Sequence, residues 1–433
     1  MKYYSTNQQV EPVSFQEAIF LGLPADNGLF MPEEIPSLPS SFFDSLDDLT
    51  LPEIGFEVLK PFIDGEIPDT DLKSIIEDTL AFEIPINRIK DGVYALELFH
   101  GPTLAFKDVG ARFLARSLSY FTRKKNQKLT VLVATSGDTG SAVANGFYNV
   151  PDIEVVILYP SGKVSGFQEQ QMTTLGGNIT ALEVDGTFDD CQHLVKQAFL
   201  DEELRTSKNL TSANSINMAR LLPQSIYYFY AWAQLPEEER KEVIFSVPSG
   251  NYGNLSAGLI AQRMGLPVKQ FLACSNVNDT VPLYLWNARF EPKPSVATIS
   301  NAMDVGNPSN FVRMLDLFAG SHQKMIHSIT GYSYTDESTR DTIQKTYGLT
   351  GYILDPHGAV GYLGLMDYYR NNQGTGIVLE TAHPIKFRNT VEDQILREVP
   401  MPGHVSLTDL EKKSIPFSID FEDFRTFLLN ELA

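Results

Sequence analysis

Lys107 lies in the run His100-Gly-Pro-Thr-Leu-Ala-Phe-Lys-Asp108, at the start of a helical pattern that continues through Phe121. At helical spacing it shares a face with Gly110, Ala111, Leu114 and Leu118, while Asp108, Arg112 and Arg116 follow one another at i, i+4 on the polar face. A Lys-Asp pair by itself is an ordinary solvated surface feature. Its register argues for chemistry: an amine on an apolar face loses solvation, which disfavours the ammonium form and leaves a nucleophile near neutrality.

Three polar turns accompany it. Pro248-Ser-Gly-Asn-Tyr-Gly-Asn254 stands between a strand-like run and a helix-like one. There, free backbone N–H groups and the positive helix end converge as an anion cup. Gly250 and Gly253 let the backbone approach a phosphate, and Asn251 and Asn254 add side-chain donors. The stretch matches neither the Walker pattern nor the Gly-x-Gly-x-x-Gly spacing. Thr135-Ser-Gly-Asp-Thr-Gly-Ser141 again joins strand to helix, with hydroxyls and N–H groups where open α/β sheets bind ligands. Glu380-Thr-Ala-His-Pro-Ile-Lys386 follows the strand-like Ile377–Leu379. For each turn, plain structural capping is the competing reading. Taken together with Lys107 they fit one pyridoxal phosphate pocket.

The elements that must position these residues are βα units. Compact apolar runs at 130–135, 154–159, 179–184, 243–247 and 270–274 read as buried parallel strands, with helices after Gly140, from Asp189 and from Leu255. The Pro- and acid-rich first 92 residues, with short helical patterns at 14–21 and 71–82, read as a small N-terminal domain. Residues 93–433 read as the catalytic region, its two α/β units including a smaller one over 105–215. The segment from Glu291 to Asn310, rich in Pro, Asn and Ser, is a linker or a functional loop.

Composition bounds the partners. Lys plus Arg number 34 against 54 Asp plus Glu, a formal charge of −20, which disfavours nucleic acid or an anionic membrane as the main partner. An anionic ligand then needs a local cationic site. No apolar run approaches the roughly 20 residues of a membrane span, and the polar start, 1–10, has no signal-peptide core. The two cysteines have neither disulfide-framework density nor metal-ligand spacing. No metal is expected, and the setting reads as reducing and cytoplasmic.

The stretches 100–108, 136–141 and 249–254, the run Ser212-Ala-Asn-Ser-Ile-Asn217 with Arg220, Asn301-Ala-Met-Asp-Val-Gly-Asn-Pro-Ser-Asn310 and Glu380–Lys386 together resemble the threonine synthase family. Pro24-Ala-Asp-Asn-Gly-Leu-Phe-Met-Pro32 extends the match over nearly the whole chain. The resemblance implies an α/β, fold type II pyridoxal-phosphate enzyme, tryptophan synthase beta-like. Two α/β units with parallel sheets would meet at the cofactor, and an N-terminal extension would precede them. It also implies conversion of O-phospho-L-homoserine and water to L-threonine and phosphate, by γ-elimination and β-addition of water.

Position by position, the resemblance makes Lys107 the Schiff-base lysine and proton carrier. It makes Gly250, Asn251, Tyr252, Gly253 and Asn254 the cofactor-phosphate loop, and Thr381 the hydroxyl at the pyridine nitrogen. Ser136, Gly137, Asp138 and Thr139 would bind the substrate carboxylate, though many enzymes of this fold have Asn where this chain has Asp138. Asn214 is also a substrate-binding candidate. For the substrate phosphate, Lys163 is the first candidate, since it follows a strand on the ligand side of the sheet. Arg220 comes next, then Arg112 and Arg116, which can pair with Asp108 instead. The oligomeric expectation is a monomer or homodimer. The rivals are a serine/threonine dehydratase or β-replacement enzyme of the same fold and, least favoured, a non-catalytic paralogue.

Overall fold

The computed structural model describes residues 1–125, 128–403, 405 and 410–432. The chain divides into two compact units that interleave in sequence. One comprises Met1, Pro32–Phe106 and Leu221–Pro402, and the other comprises Lys2–Met31, Lys107–Arg220 and Gly403–Ala433.

The first unit is built on a six-stranded sheet. Its order is Ile329–Ser333, Val268–Ser275, Val243–Pro248, Thr375–Glu380, Val93–Glu97 and Ile86–Lys90, and only the last pairing is antiparallel. The central strands Val243–Pro248 and Thr375–Glu380 are buried at every residue, as strands covered on both faces must be. The helix Pro356–Tyr368 packs on them through small residues. A Cβ on Gly361 would come within 3.1 Å of Val378 Cγ1, and one on Gly364 within 2.2 Å of Cys274 Sγ.

The second unit carries a fully parallel five-stranded sheet: Ile415–Phe417, Ile179–Val184, Ile153–Pro160, Leu129–Ala134 and Leu210–Ser212. One core cluster joins Leu132, Val156 and Leu182 of the sheet to Leu194 and Val195 of the helix Phe188–Leu200. It also takes in Phe424, Phe427 and Leu428 of the C-terminal helix Phe421–Asn430. The helices Lys107–Lys125 and Asp138–Phe147 touch where a Cβ on Gly146 would stand 3.2 Å from the Ala111 carbonyl carbon.

Residues 1–92 are shared between the units. The helix Phe15–Leu21 belongs to the second, because the Ile19 carbonyl accepts hydrogen bonds from Thr211 Oγ1 and Asn217 Nδ2, each at 3.0 Å. The amphipathic helix Leu51–Ile63 belongs to the first and packs on Ile226–Ala233. Among the described residues no helix is long and apolar enough to cross a membrane.

Candidate active site

The candidate residues fall into two sets, one in each unit. In the first unit, Val243–Pro248 and Thr375–Glu380 are parallel neighbours, Ser246 level with Val378. The turns that leave them therefore open on the same sheet edge, the carboxyl edge where α/β sheets bind ligands.

After Pro248 the chain turns into the helix Gly253–Arg263. The loop closes on itself: the Ser249 hydroxyl donates to Asn254 Oδ1 at 2.6 Å, and Asn254 Nδ2 donates to the Pro248 carbonyl at 2.9 Å. Tyr252 takes a left-handed φ of 59°, unusual for a bulky residue, and its buried phenol meets Ser275 Oγ, which anchors the strained turn. Burial pushes that phenol well above the usual tyrosine range, although the Ser275 bond pulls the other way. Gly250 is needed for close approach, because a Cβ there would stand 2.5 Å from Met303 Cα. Ser309 donates its N–H and hydroxyl to Asn251 Oδ1 at 2.6 and 3.0 Å. Gly253 and Asn254 open the helix, where amides have no intrahelical acceptor, and no described residue accepts theirs.

Thr381 is 5% exposed. Its carbonyl accepts the Phe106 N–H at 2.9 Å, the His383 N–H donates to Leu104 at 3.0 Å, and Lys386 Nζ donates to the Thr103 carbonyl at 2.8 Å. Residues 103–106, which lead directly into Lys107, are thus fastened to the Thr381 turn.

In the second unit Lys107 is the first residue of the helix Lys107–Lys125 and is half-buried, above a face of buried Gly110, Ala111, Leu114 and Leu118. The expected polar face is only partly polar. Asp108 is buried, and it acts on Arg220, itself buried, whose guanidinium is lowered to about 10 by burial against the pull of Asp108. Arg220 donates to the Ala213 carbonyl, and a Cβ on Gly110 would lie 2.7 Å from the Arg220 carbonyl oxygen. Arg116 donates to the Gly146 carbonyl, a bond that i, i+4 spacing does not reveal.

Ser136, Gly137, Asp138 and Thr139 follow the strand Leu129–Ala134. Thr135 Oγ1 accepts the amides of Gly137 and Gly140 at 2.9 and 2.8 Å, and Gln168 Nε2 donates to buried Asp138 at 2.8 Å. Asn214 joins the same edge, its Nδ2 donating to the Ala134 carbonyl at 2.9 Å. Lys163 is exposed and donates to the Gly186 carbonyl at 2.9 Å. Both cysteines are free and buried, their thiols pushed up to about 12 chiefly by burial, so neither is a nucleophile at neutral pH. Among the described residues no group of His, Cys, Asp or Glu could hold a metal.

Residues 2–80 match the family model for the threonine synthase N terminus, and residues 79–379 match that for pyridoxal-phosphate dependent enzymes. Threonine synthase of Haemophilus influenzae is 46% identical over 430 residues, covering 99% of this chain and 100% of its own. The chain belongs to the threonine synthase family. The crystal structure of threonine synthase from Escherichia coli, 44% identical, superposes with a TM-score of 0.93 over 100% of both chains. That of PLP-bound threonine synthase from Brucella melitensis, 33% identical, gives 0.91 over 99% of this chain and 98% of its own. The fold is therefore that of a fold type II pyridoxal-phosphate enzyme.

The residues present fit the family's cofactor. Gly253 and Asn254 offer paired amides at a helix start for its phosphate, and Thr381 offers a neutral hydroxyl on the adjoining strand end. Sequence reasoning missed the clamp on this loop by Met303 and Ser309, although both lie in the quoted run 301–310. It also gave no part to Asp355 and Glu380. The signal for Glu380 was an ionisable residue closing an otherwise apolar strand.

Proposed function

We propose that the chain converts O-phospho-L-homoserine and water to L-threonine and phosphate with pyridoxal phosphate, in a cytoplasmic setting, as a monomer or homodimer. The observation that carries this is the amide-bearing loop 249–254 beside the Thr381 turn, in a chain whose full length matches threonine synthases. The cofactor, when bound, supplies an electron sink that acidifies the Cα–H of an amino acid.

Lys107 would hold the cofactor's aldehyde carbon and would carry the Cα proton at Nζ. The loop from Gly250 through Asn251, Tyr252, Gly253 and Asn254 would hold the cofactor phosphate through backbone amides, which carry no titratable charge. Thr381 would face the pyridine nitrogen with a hydroxyl rather than a carboxylate, which would leave that nitrogen largely unprotonated. Ser136 to Thr139 and Asn214 orient the substrate carboxylate. Arg220 and Lys163 are the assigned cations for the leaving phosphate. Residues 1–92 are assigned as the family's N-terminal region, in line with the match over residues 2–80.

The test is to supply O-phosphohomoserine to the cofactor-loaded protein and assay phosphate and amino acid. Equal amounts of phosphate and threonine are expected. A 2-oxo acid formed from serine or threonine, with no phosphate released, would replace this reading with the dehydratase one.

A further inference from the structure

A line of hydrogen bonds, ended by one close backbone contact, joins the Thr381 turn to the phosphate loop inside the first unit. Glu380 closes the strand just before Thr381, and its side chain is fully buried. A Cβ on Gly358 would lie 1.7 Å from Glu380 Oε1, so the carboxyl lies flat against the first turn of the helix Pro356–Tyr368. Asp355 caps that helix, accepting the amides of His357 at 2.8 Å and Gly358 at 3.1 Å, while its own N–H donates to Glu380 Oε2 at 3.4 Å. Burial first, then the neighbouring Asp355 charge, holds the Glu380 carboxyl well above the usual range.

The line continues through His357, which is 2% exposed. Its Nδ1 meets Asp355 Oδ1 at 2.6 Å, and its Nε2 faces the Ala302 N–H at 3.2 Å. A ring nitrogen facing an N–H donor has to accept, which requires the neutral imidazole with its proton on Nδ1. Ala302 belongs to the short turn Asn301–Met303, and the Met303 backbone occupies the space above Gly250 that a side chain would need.

The geometry points to Asp355 and His357 as positioning residues for the cofactor-phosphate loop. Asp355 fixes the imidazole tautomer, and Nε2 then holds the Asn301–Met303 turn against Gly250. Glu380 braces Asp355 from the strand that carries Thr381. The inference rests on the reading that residues 250–254 grip the cofactor phosphate. Neither residue needs to touch cofactor or substrate; the effect is transmitted through the turn.

Two measurements test it. A histidine-selective nitrogen-15 spectrum of the full chain at pH 7, with the His357 pair identified by its loss in His357→Gln, should show Nδ1 protonated and Nε2 bare. A proton on Nε2 overturns the inference, whatever any variant does. The second is titration of the cofactor-stripped chain with pyridoxal phosphate. His357→Phe, which removes the acceptor, should weaken binding roughly tenfold. His357→Gln, whose amide oxygen can receive the Ala302 N–H, should stay within about threefold of the parent. Equal losses in the two variants reduce His357 to packing and overturn the inference. Parent-like binding in His357→Phe overturns it alone if Gly253→Val releases the cofactor; if Gly253→Val binds normally as well, the phosphate-loop reading falls instead.

Discussion

The candidate residues of the first unit and those of the second are built on different physics. In the first, the loop 249–254 and Thr381 itself present backbone amides, amide side chains and hydroxyls. They are locked by short contacts such as Ser249 to Asn254 at 2.6 Å and by the close stacking of Met303 on Gly250. In the second, the candidates include buried charges: Asp108 against Arg220, and Asp138 held by Gln168. A neutral site depends on shape, since an amide cup works only if the backbone follows one path. A charged site depends on compensation, since each buried ion is costly once its partner is gone. Volume changes should therefore damage the first set most, and charge changes the second.

The largest effect is expected at Lys107. On the proposed assignment Lys107→Ala removes both the cofactor attachment and the proton carrier, and turnover should fall by on the order of 10⁴-fold or more. Borohydride reduction of the parent should place the pyridoxyl group on the peptide that contains Lys107, and its appearance on another lysine would reject the assignment.

Arg220 sharpens the contrast next. Arg220→Met leaves Asp108 buried beside an apolar side chain, and the unfolding free energy should drop by about 3–5 kcal/mol. Adding Asp108→Asn should restore much of that stability in urea unfolding. If Arg220 also binds the substrate phosphate, kcat/KM for O-phosphohomoserine stays down about ten- to a hundredfold in the stabilised double variant. Recovery of both quantities would make Arg220 a purely structural cation.

Gly250→Ala tests the neutral side without touching any charge. Its Cβ would stand 2.5 Å from Met303 Cα, a backbone atom that cannot swing away. The expected result is about ten- to a hundredfold weaker cofactor binding, from a strain of roughly 1–3 kcal/mol. Unchanged retention through dialysis would show that the loop tolerates volume after all.

The difference between the two sets also explains what could be read from the sequence. Strands were legible because each is a continuous apolar run: Ile179–Val184 has the expected bounds, and Val243–Pro248 is one residue longer than expected. Turns rich in Gly, Asn, Ser and Thr were legible because they stand at strand ends. What was not legible depends on contacts between distant segments. Nothing in i, i+4 spacing says that Asp108 acts on Arg220, or that Arg116 reaches Gly146. The first 92 residues read as one unit by composition, yet Thr211 and Asn217 hold Ile19 while the helix Leu51–Ile63 packs elsewhere. The sequence placed Lys163 on the ligand side of the sheet. The fold adds that its ammonium rests on the Gly186 carbonyl, an interaction no local pattern encodes.

The smallest expected effect concerns a carboxyl beside the neutral site. Asp304 follows the turn Asn301–Met303, and burial raises it to about 6, although it accepts hydrogen bonds from Thr298 and Asn276. Carboxyls of the second unit such as Asp190 and Asp201 are instead lowered by the helix caps they form. The sign follows from proton counting. Between the unfolded value of 3.8 and about 6, the folded chain keeps the Asp304 proton that the unfolded chain has released. Over that window its contribution to stability falls as pH rises, and it is flat above. For Asp190 and Asp201 the folded chain releases protons first, so their contribution grows with pH and is complete above the ordinary aspartate range. Asp304→Asn should remove the falling term. The difference in unfolding free energy between parent and variant should then change by on the order of 1–2 kcal/mol between pH 4.5 and 7, after allowance for the carboxyl's residual exposure. Urea unfolding at the two pH values measures it, and a difference that does not vary with pH would mean that Asp304 titrates as an ordinary surface carboxylate.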